Sequence, residues 1–225
     1  MKKSFIFILF SILLILSLIG CNKSPTQNQG QSQSQSQSKG QSSSQATNTP
    51  EQAVSDFLTA MQHQQYTGVS KYYAENLDNM ANFRNQIETI SPTIANKFFS
   101  KLAEFTYTIE HSSVDSKDPS KATVFVTINY YDVGQAFEKT LLEYIKDDIS
   151  MTYDGKKDDD IIKKADETIV ENINSSKQTT ANHVPILLSL DDNKWKVNKL
   201  SENTELSNIL SGNILETINT IISSN

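Results

Sequence analysis

Cysteine is almost absent from these 225 residues: Cys21 stands alone. A single thiol excludes an internal disulfide and removes cysteine from any zinc ligand set. Histidine is nearly as sparse. His63, His111 and His183 stand singly, with no two at helical ligand spacing, so neither a metal site nor a cofactor is expected. There is no Gly-rich phosphate loop and no Gly-x-Ser-x-Gly elbow, which argues against nucleotide cradling and serine-hydrolase chemistry. No internal repeat is visible. Basic residues are outnumbered, 20 against 26 acidic. Lys2, Lys3, Lys23 and Lys39 all precede residue 50 and no acid does, so the remainder carries a formal charge of −10. Without a basic patch interleaved with aromatics, such a chain is repelled by phosphates, and no nucleic-acid partner is expected.

Apolar residues run unbroken in only one place. From Phe5 to Ile19 the chain is apolar apart from Ser11 and Ser17, after a positive start at Lys2 and Lys3. That is shorter than the roughly 20 residues of a bilayer span and has the layout of a secretory signal. It ends in Leu18-Ile19-Gly20-Cys21, which resembles the lipobox of bacterial lipoproteins. The resemblance implies cleavage after residue 20, a diacylglyceryl thioether on Cys21, and a membrane anchor with the rest of the chain extracytoplasmic. The alternative is a buried cysteine in an uncleaved anchor; a charged start and a small residue before Cys21 fit cleavage better.

From Asn22 to Thr49 the chain is mostly Gln, Ser, Asn, Thr and Gly, with no aromatic or large aliphatic residue. Such a segment cannot offset its ordering entropy, and residues 21–49 read as the lipidated cysteine and a flexible linker with a reach of roughly 30 Å. Residues 50–225 suffice for one domain.

Thr49-Pro50-Glu51-Gln52 is a helix start, followed by Val54, Phe57, Leu58 and Met61 at helical spacing. Gly68 and Tyr72-Tyr73 suggest a short second helix. Met80, Phe83, Ile87 and Ile90 mark a third, and Ser91-Pro92 caps a fourth through Ile94, Phe98 and Leu102. The period then changes to two. Phe105, Tyr107 and Ile109, a turn at 116–120, and Val124, Val126, Ile128 and Tyr130 describe a hairpin with one buried face. Asp132 and Gln135 open a long helix, and Asp158 opens another through Ile173. Strand period returns at His183 with Val184, Ile186 and Leu188; Pro185 marks a start, an edge or a bulge. Asp191-Asp192-Asn193 turns the chain into Trp195 and Val197. Leu206 to Ile221 then form a tail helix with Gly212 as its weak point.

The Thr49-Pro50-Glu51…Phe57-Leu58 opening, Tyr131-Asp132-Val133-Gly134, Asn193-Lys194-Trp195-Lys196-Val197 and Leu210-Ser211-Gly212-Asn213 carry a resemblance. Together they resemble exported lipoproteins of Gram-positive bacteria with a nuclear-transport-factor-like (cystatin-like) domain. The resemblance covers residue 50 onward. It implies an α+β fold, with a curved antiparallel sheet of about four strands packed against helices and an inserted helical pair at 132–174. It carries over no catalytic residue.

Enzymes of this fold, such as those resembling ketosteroid isomerase, place a carboxylate and a tyrosine in an apolar cone. Here none of the strand residues expected to face inward is acidic. Tyr107 and Tyr130 are candidate ligand contacts, against the plainer reading of core-edge tyrosines with wet hydroxyls. Phe125, Tyr131 and Leu187 fall on the outer face. Phe125 and Leu187 are candidate contacts for a partner or for a homodimer through the sheet, although helices 132–174 are expected to cover this face. Asp154 and Asp158-Asp159-Asp160 could attract a cation. However, Gly155 is misplaced for an EF-hand and its closing Glu is missing, and acids at a helix N-terminus already oppose the macrodipole. The expectation is a non-enzymatic binding domain for an envelope protein or small ligand. The alternatives are a small-molecule enzyme using the cone and a surface lipoprotein with no specific ligand.

Overall fold

The computed structural model describes residues 46–153 and 158–223. Cys21, the signal-like run, most of the linker and Asp154 lie outside them, as do the side chains of residues 158–160. In chain order the elements are α1 (Pro50–Gln62), a 3-10 turn (Val69–Lys71), α2 (Asp78–Ile90), α3 (Pro92–Ala103), β1 (Thr106–Val114) and β2 (Lys121–Tyr131). There follow α4 (Val133–Tyr153), α5 (Asp158–Asn174), β3 (Gln178–Asp191), β4 (Lys194–Val197), α6 (Thr204–Leu210) and α7 (Ile214–Ser223). The four strands make one antiparallel sheet in sequence order, with the helical pair α4–α5 inserted between β2 and β3. This is the α+β architecture that the resemblance implies. Among the described residues no helix is long and apolar enough to cross a membrane.

Local chemistry explains the boundaries. Thr49 caps α1 by accepting the Gln52 N–H at 3.2 Å, and Ser91 caps α3 by accepting that of Ile94 at 3.4 Å. Each cap precedes a proline whose missing N–H costs nothing at a helix start. Asp132 accepts the Gln135 N–H at 3.1 Å and opens α4. Asp192 and Asn193, with φ of 49° and 60°, make the two-residue turn from β3 to β4, where both central residues of a tight hairpin need positive φ.

The inner face of the sheet packs on α1. Val124, Val126, Ile128, Ile186 and Leu188 are fully buried against Ala53, Val54, Phe57 and Leu58. Phe57 stacks on Tyr73 at 5.0 Å, and Phe83, Phe98 and Phe99 form an edge-to-face cluster beside them. Each such side chain contributes about 1.5–3 kcal/mol by leaving water. Among the described residues, no buried side-chain nitrogen or oxygen lacks a hydrogen-bond partner.

Burial also affects Tyr66, which lies edge-on to Phe99. Desolvation pushes its phenol up to about 12, with Arg84 opposing the rise. An unfolded tyrosine ionises near pH 10. The buried neutral phenol therefore contributes stability that is full below about pH 10 and is lost as pH rises toward 12. A urea midpoint that falls across this window, with Tyr66 the last tyrosine to ionise by ultraviolet absorbance, is the expected result. A flat midpoint would place Tyr66 in water.

Three elements differ from the sequence expectation. β3 begins at Gln178 and not at His183, because its first residues pair with the end of β2 from Tyr131 to Ile128 without apolar alternation. The tail is two helices, broken at Ser211–Asn213, where Gly212 and Asn213 take φ of 60° and 63°. The break frees the Gly212 carbonyl, which accepts the Gly134 N–H at 2.7 Å. The helical pair does not cover the outer sheet face. It packs on α3 and α7, and Leu187 remains 38% exposed. Tyr131, at the end of β2, instead has the Lys101 ammonium 4.1 Å above its ring.

Candidate functional site

The two inward tyrosines come first. Tyr107 pairs across from Ile128 and leans on α1. Its hydroxyl lies 3.1 Å from Ser55 Oγ and 3.2 Å from Thr59 Oγ1, and it donates to the Ser55 carbonyl at 3.2 Å. Tyr130 is buried at the other end, where the Asn213 amide donates to its hydroxyl at 3.1 Å and also reaches Asp132 Oδ2 at 3.2 Å. Both hydroxyls thus tie the sheet to helices. The Tyr130–Asn213–Asp132 contact joins Tyr131-Asp132-Val133-Gly134 to Leu210-Ser211-Gly212-Asn213, two of the segments that carried the family resemblance.

The outer face holds a different arrangement. β1 has a bulge between Ile109 and His111, and the β2–β3 ladder shifts register between Val126 and Ile128. The first shift turns His111 outward opposite Phe125; by simple alternation from Tyr107 and Ile109 it would face the core. The second leaves Asn182 and His183 together opposite Thr127, with His183 at φ 59°. Bulges re-aim side chains in this way. The two flank β2 at the same level, so they bring His111, Phe125, Thr127, His183 and Glu110 to one place.

The three rings touch. His111 lies 4.7 Å from Phe125, His183 lies 4.4 Å from it, and the two imidazoles are 5.4 Å apart. Imidazoles on opposite faces of Phe125 would be separated by nearly the sum of the first two distances, so both lie toward one side of it. Glu110 fixes the arrangement. Its Oε1 accepts from the Thr127 hydroxyl at 2.7 Å and from the His183 N–H at 3.2 Å, and its Oε2 lies 2.8 Å from His183 Nδ1. The Thr127 hydroxyl, then the His183 ring, hold the Glu110 carboxyl below its ordinary value against a small opposing effect of burial. An ionised carboxylate only accepts. The proton of this bond therefore sits on His183 Nδ1, and the tautomer of the neutral ring that this bond selects has its lone pair at Nε2.

Leu187 lies further along the same strand. Its backbone N–H donates to the buried Asn203 Oδ1 at 2.7 Å, and its carbonyl accepts from Asn203 Nδ2 at 3.4 Å. The Asn203 amide thus occupies the Leu187 N–H, while the carbonyl also accepts the Asn198 backbone N–H at 2.9 Å. Beside it runs a groove of about 490 Å³ lined by Thr123, Leu187, Asn198 and Glu202 among others. Of the four candidate contacts, Phe125 and Leu187 share the accessible face, while Tyr107 and Tyr130 bond within the fold. Sequence reading missed the meeting of His111 and His183, which depends on two register shifts that no glycine announces.

No family model matches the chain, and no curated protein matches it. Among solved structures it is similar to a lipoprotein candidate, ycdA, from Bacillus subtilis subsp. subtilis str. 168, at 12% identity and a TM-score of 0.43. The likeness covers 72% of this chain, which spans 54% of that structure's own length.

Proposed function

We propose that the chain is an exported, lipid-anchored, non-enzymatic binding domain that engages an envelope protein through the outer face of its sheet. The observation that carries this reading is the contrast between the two sheet faces. The inner face is packed with apolar side chains, and its two tyrosine hydroxyls are occupied by Ser55, Thr59 and Asn213. The outer face presents Phe125, two imidazoles and Leu187 beside a groove. Ligand contacts by the chain belong on the second surface. The anchor rests on Lys2-Lys3, the apolar run and Leu18-Ile19-Gly20-Cys21. Two acyl chains, at about 0.8 kcal/mol per buried CH₂, give stable attachment.

A benzophenone amino acid placed at position 187 should give one discrete light-dependent adduct in intact cells. The same residue at position 142, where Leu142 is also exposed, should not. Equal adducts from both positions, or none from 187, would remove the outer face as the docking surface. The anchor is tested separately. Cys21→Ser should abolish labelling by a fatty-acid analogue, because the thiol is the acyl acceptor. Equal label on both proteins would rule out the lipobox.

A further inference from the structure

We propose that His111 and His183 form a binding site for a borderline divalent metal ion, zinc in the first instance, on the outer face of the sheet. This goes beyond the binding reading and stands whether or not a partner docks there. The argument begins with register. β1 and β3 are not neighbours, and β2 lies between them. Two separate bulges are needed to bring one imidazole from each strand to the same spot, and both are present.

The spacing suits a chelate. A metal–nitrogen bond is roughly 2 Å, and the centre of each ring lies about 1 Å further on, so two imidazoles on one tetrahedral ion have centroids about 5 Å apart. The observed separation is 5.4 Å. The ring chemistry suits it as well. Metal-bound histidines generally donate their other ring N–H to a carboxylate, which fixes the tautomer and raises ligand basicity. Glu110 Oε2 lies 2.8 Å from His183 Nδ1, and Glu110 is itself held by Thr127. His183 Nε2 is therefore set up as a ligand, and its side chain is 60% exposed. Imidazole pairs select zinc, copper or nickel over magnesium or calcium. Among the described residues no group of three or more His, Cys, Asp or Glu is placed to hold a metal. From the described residues the ion has these two imidazoles as ligands, with water in its remaining positions.

The test uses the full lipidated chain in detergent, without a histidine tag, and zinc alone as the probe. Equilibrium dialysis should show one saturable equivalent. His111→Ala and His183→Ala should each weaken binding more than tenfold, and Glu110→Gln about tenfold, as loss of a supporting carboxylate does. His63→Ala should change nothing. A second measurement needs no variant. Zinc should protect His111 and His183 of the wild-type chain, but not His63, from diethylpyrocarbonate, read by peptide mass. No saturable binding at millimolar zinc, unchanged binding in the double variant, or equal modification of all three histidines with and without zinc would each overturn the site.

Discussion

Trp195→Ala is expected to destabilise the fold by roughly 3–5 kcal/mol, the range for truncating a large aromatic in a packed core. Trp195 is only 6% exposed, on the four-residue strand β4 opposite Leu190. Its backbone N–H and carbonyl are both held by Asn48. Asn48 Oδ1 accepts its N–H at 2.8 Å, and Asn48 Nδ2 donates to its carbonyl at 3.1 Å. Those bonds do not depend on the side chain, so β4 stays in place when the indole is removed and the space cannot collapse well. A domain's whole stability is about 5–15 kcal/mol, so the variant should melt far below the wild type. Trp195→Phe keeps more of the volume and should cost less. Urea unfolding followed by circular dichroism measures both. In the wild type this sole tryptophan should emit blue-shifted light that moves red on unfolding. A near-neutral alanine variant would take Trp195 out of the core and make it an exposed anchor.

Gly212→Ala should cost roughly 2–5 kcal/mol through two independent causes. The left-handed backbone at φ 60° costs an L residue about 1–2 kcal/mol, and overpacking adds about 1–3 kcal/mol. A Cβ there would sit 2.8 Å from Leu102 Cδ2, 3.0 Å from the Tyr131 carbonyl oxygen and 3.1 Å from Val133 Cβ. One of those neighbours is backbone and cannot give way. Gly68 supplies the internal control, since it has φ 77° but nothing within 4 Å of its Cβ position. Asparagine tolerates this backbone, so Gly68→Asn should be nearly neutral. Gly212→Asn should stay strongly destabilising, because the clash remains. Recovery of thermal stability by Gly212→Asn would show that conformation alone matters at the 134–212 contact.

What the sequence made legible follows from local rules. Alternation identified Val124, Val126, Ile128, Val184, Ile186, Leu188, Trp195 and Val197 as inward-facing, because a period of two is fixed by the pleat. Capping residues located α1, α3 and α4. The long-range relations were not legible. Nothing local to Glu110 or His183 announces a bulge, since neither is beside a glycine. Pro185, flagged as a possible irregularity, is two residues past the bulged pair and pairs with Phe125. β4 reaches only Leu188–Asp191, so Pro185 lies where β3 has a strand on one side only and its missing N–H disturbs no ladder. The tail helix read as continuous because Ser211-Gly212-Asn213 costs little in periodicity. The break is dictated by a contact with Gly134, 78 positions away in the chain.

The attachment of Thr47 and Asn48 to β4 has a mechanical consequence. Thr47 N–H donates to the Asn193 carbonyl at 2.8 Å, and Asn48 brackets the Trp195 backbone. Chain upstream of residue 46 therefore enters the fold at the edge of the sheet and not at the helix cap. Tension drawn through that segment arrives first at Thr47 and Asn48. Only after these few bonds part does the load reach Thr49 and the first turn of α1. A pull on the upstream chain thus loads the hydrogen bonds at the sheet edge before it loads the apolar core behind them.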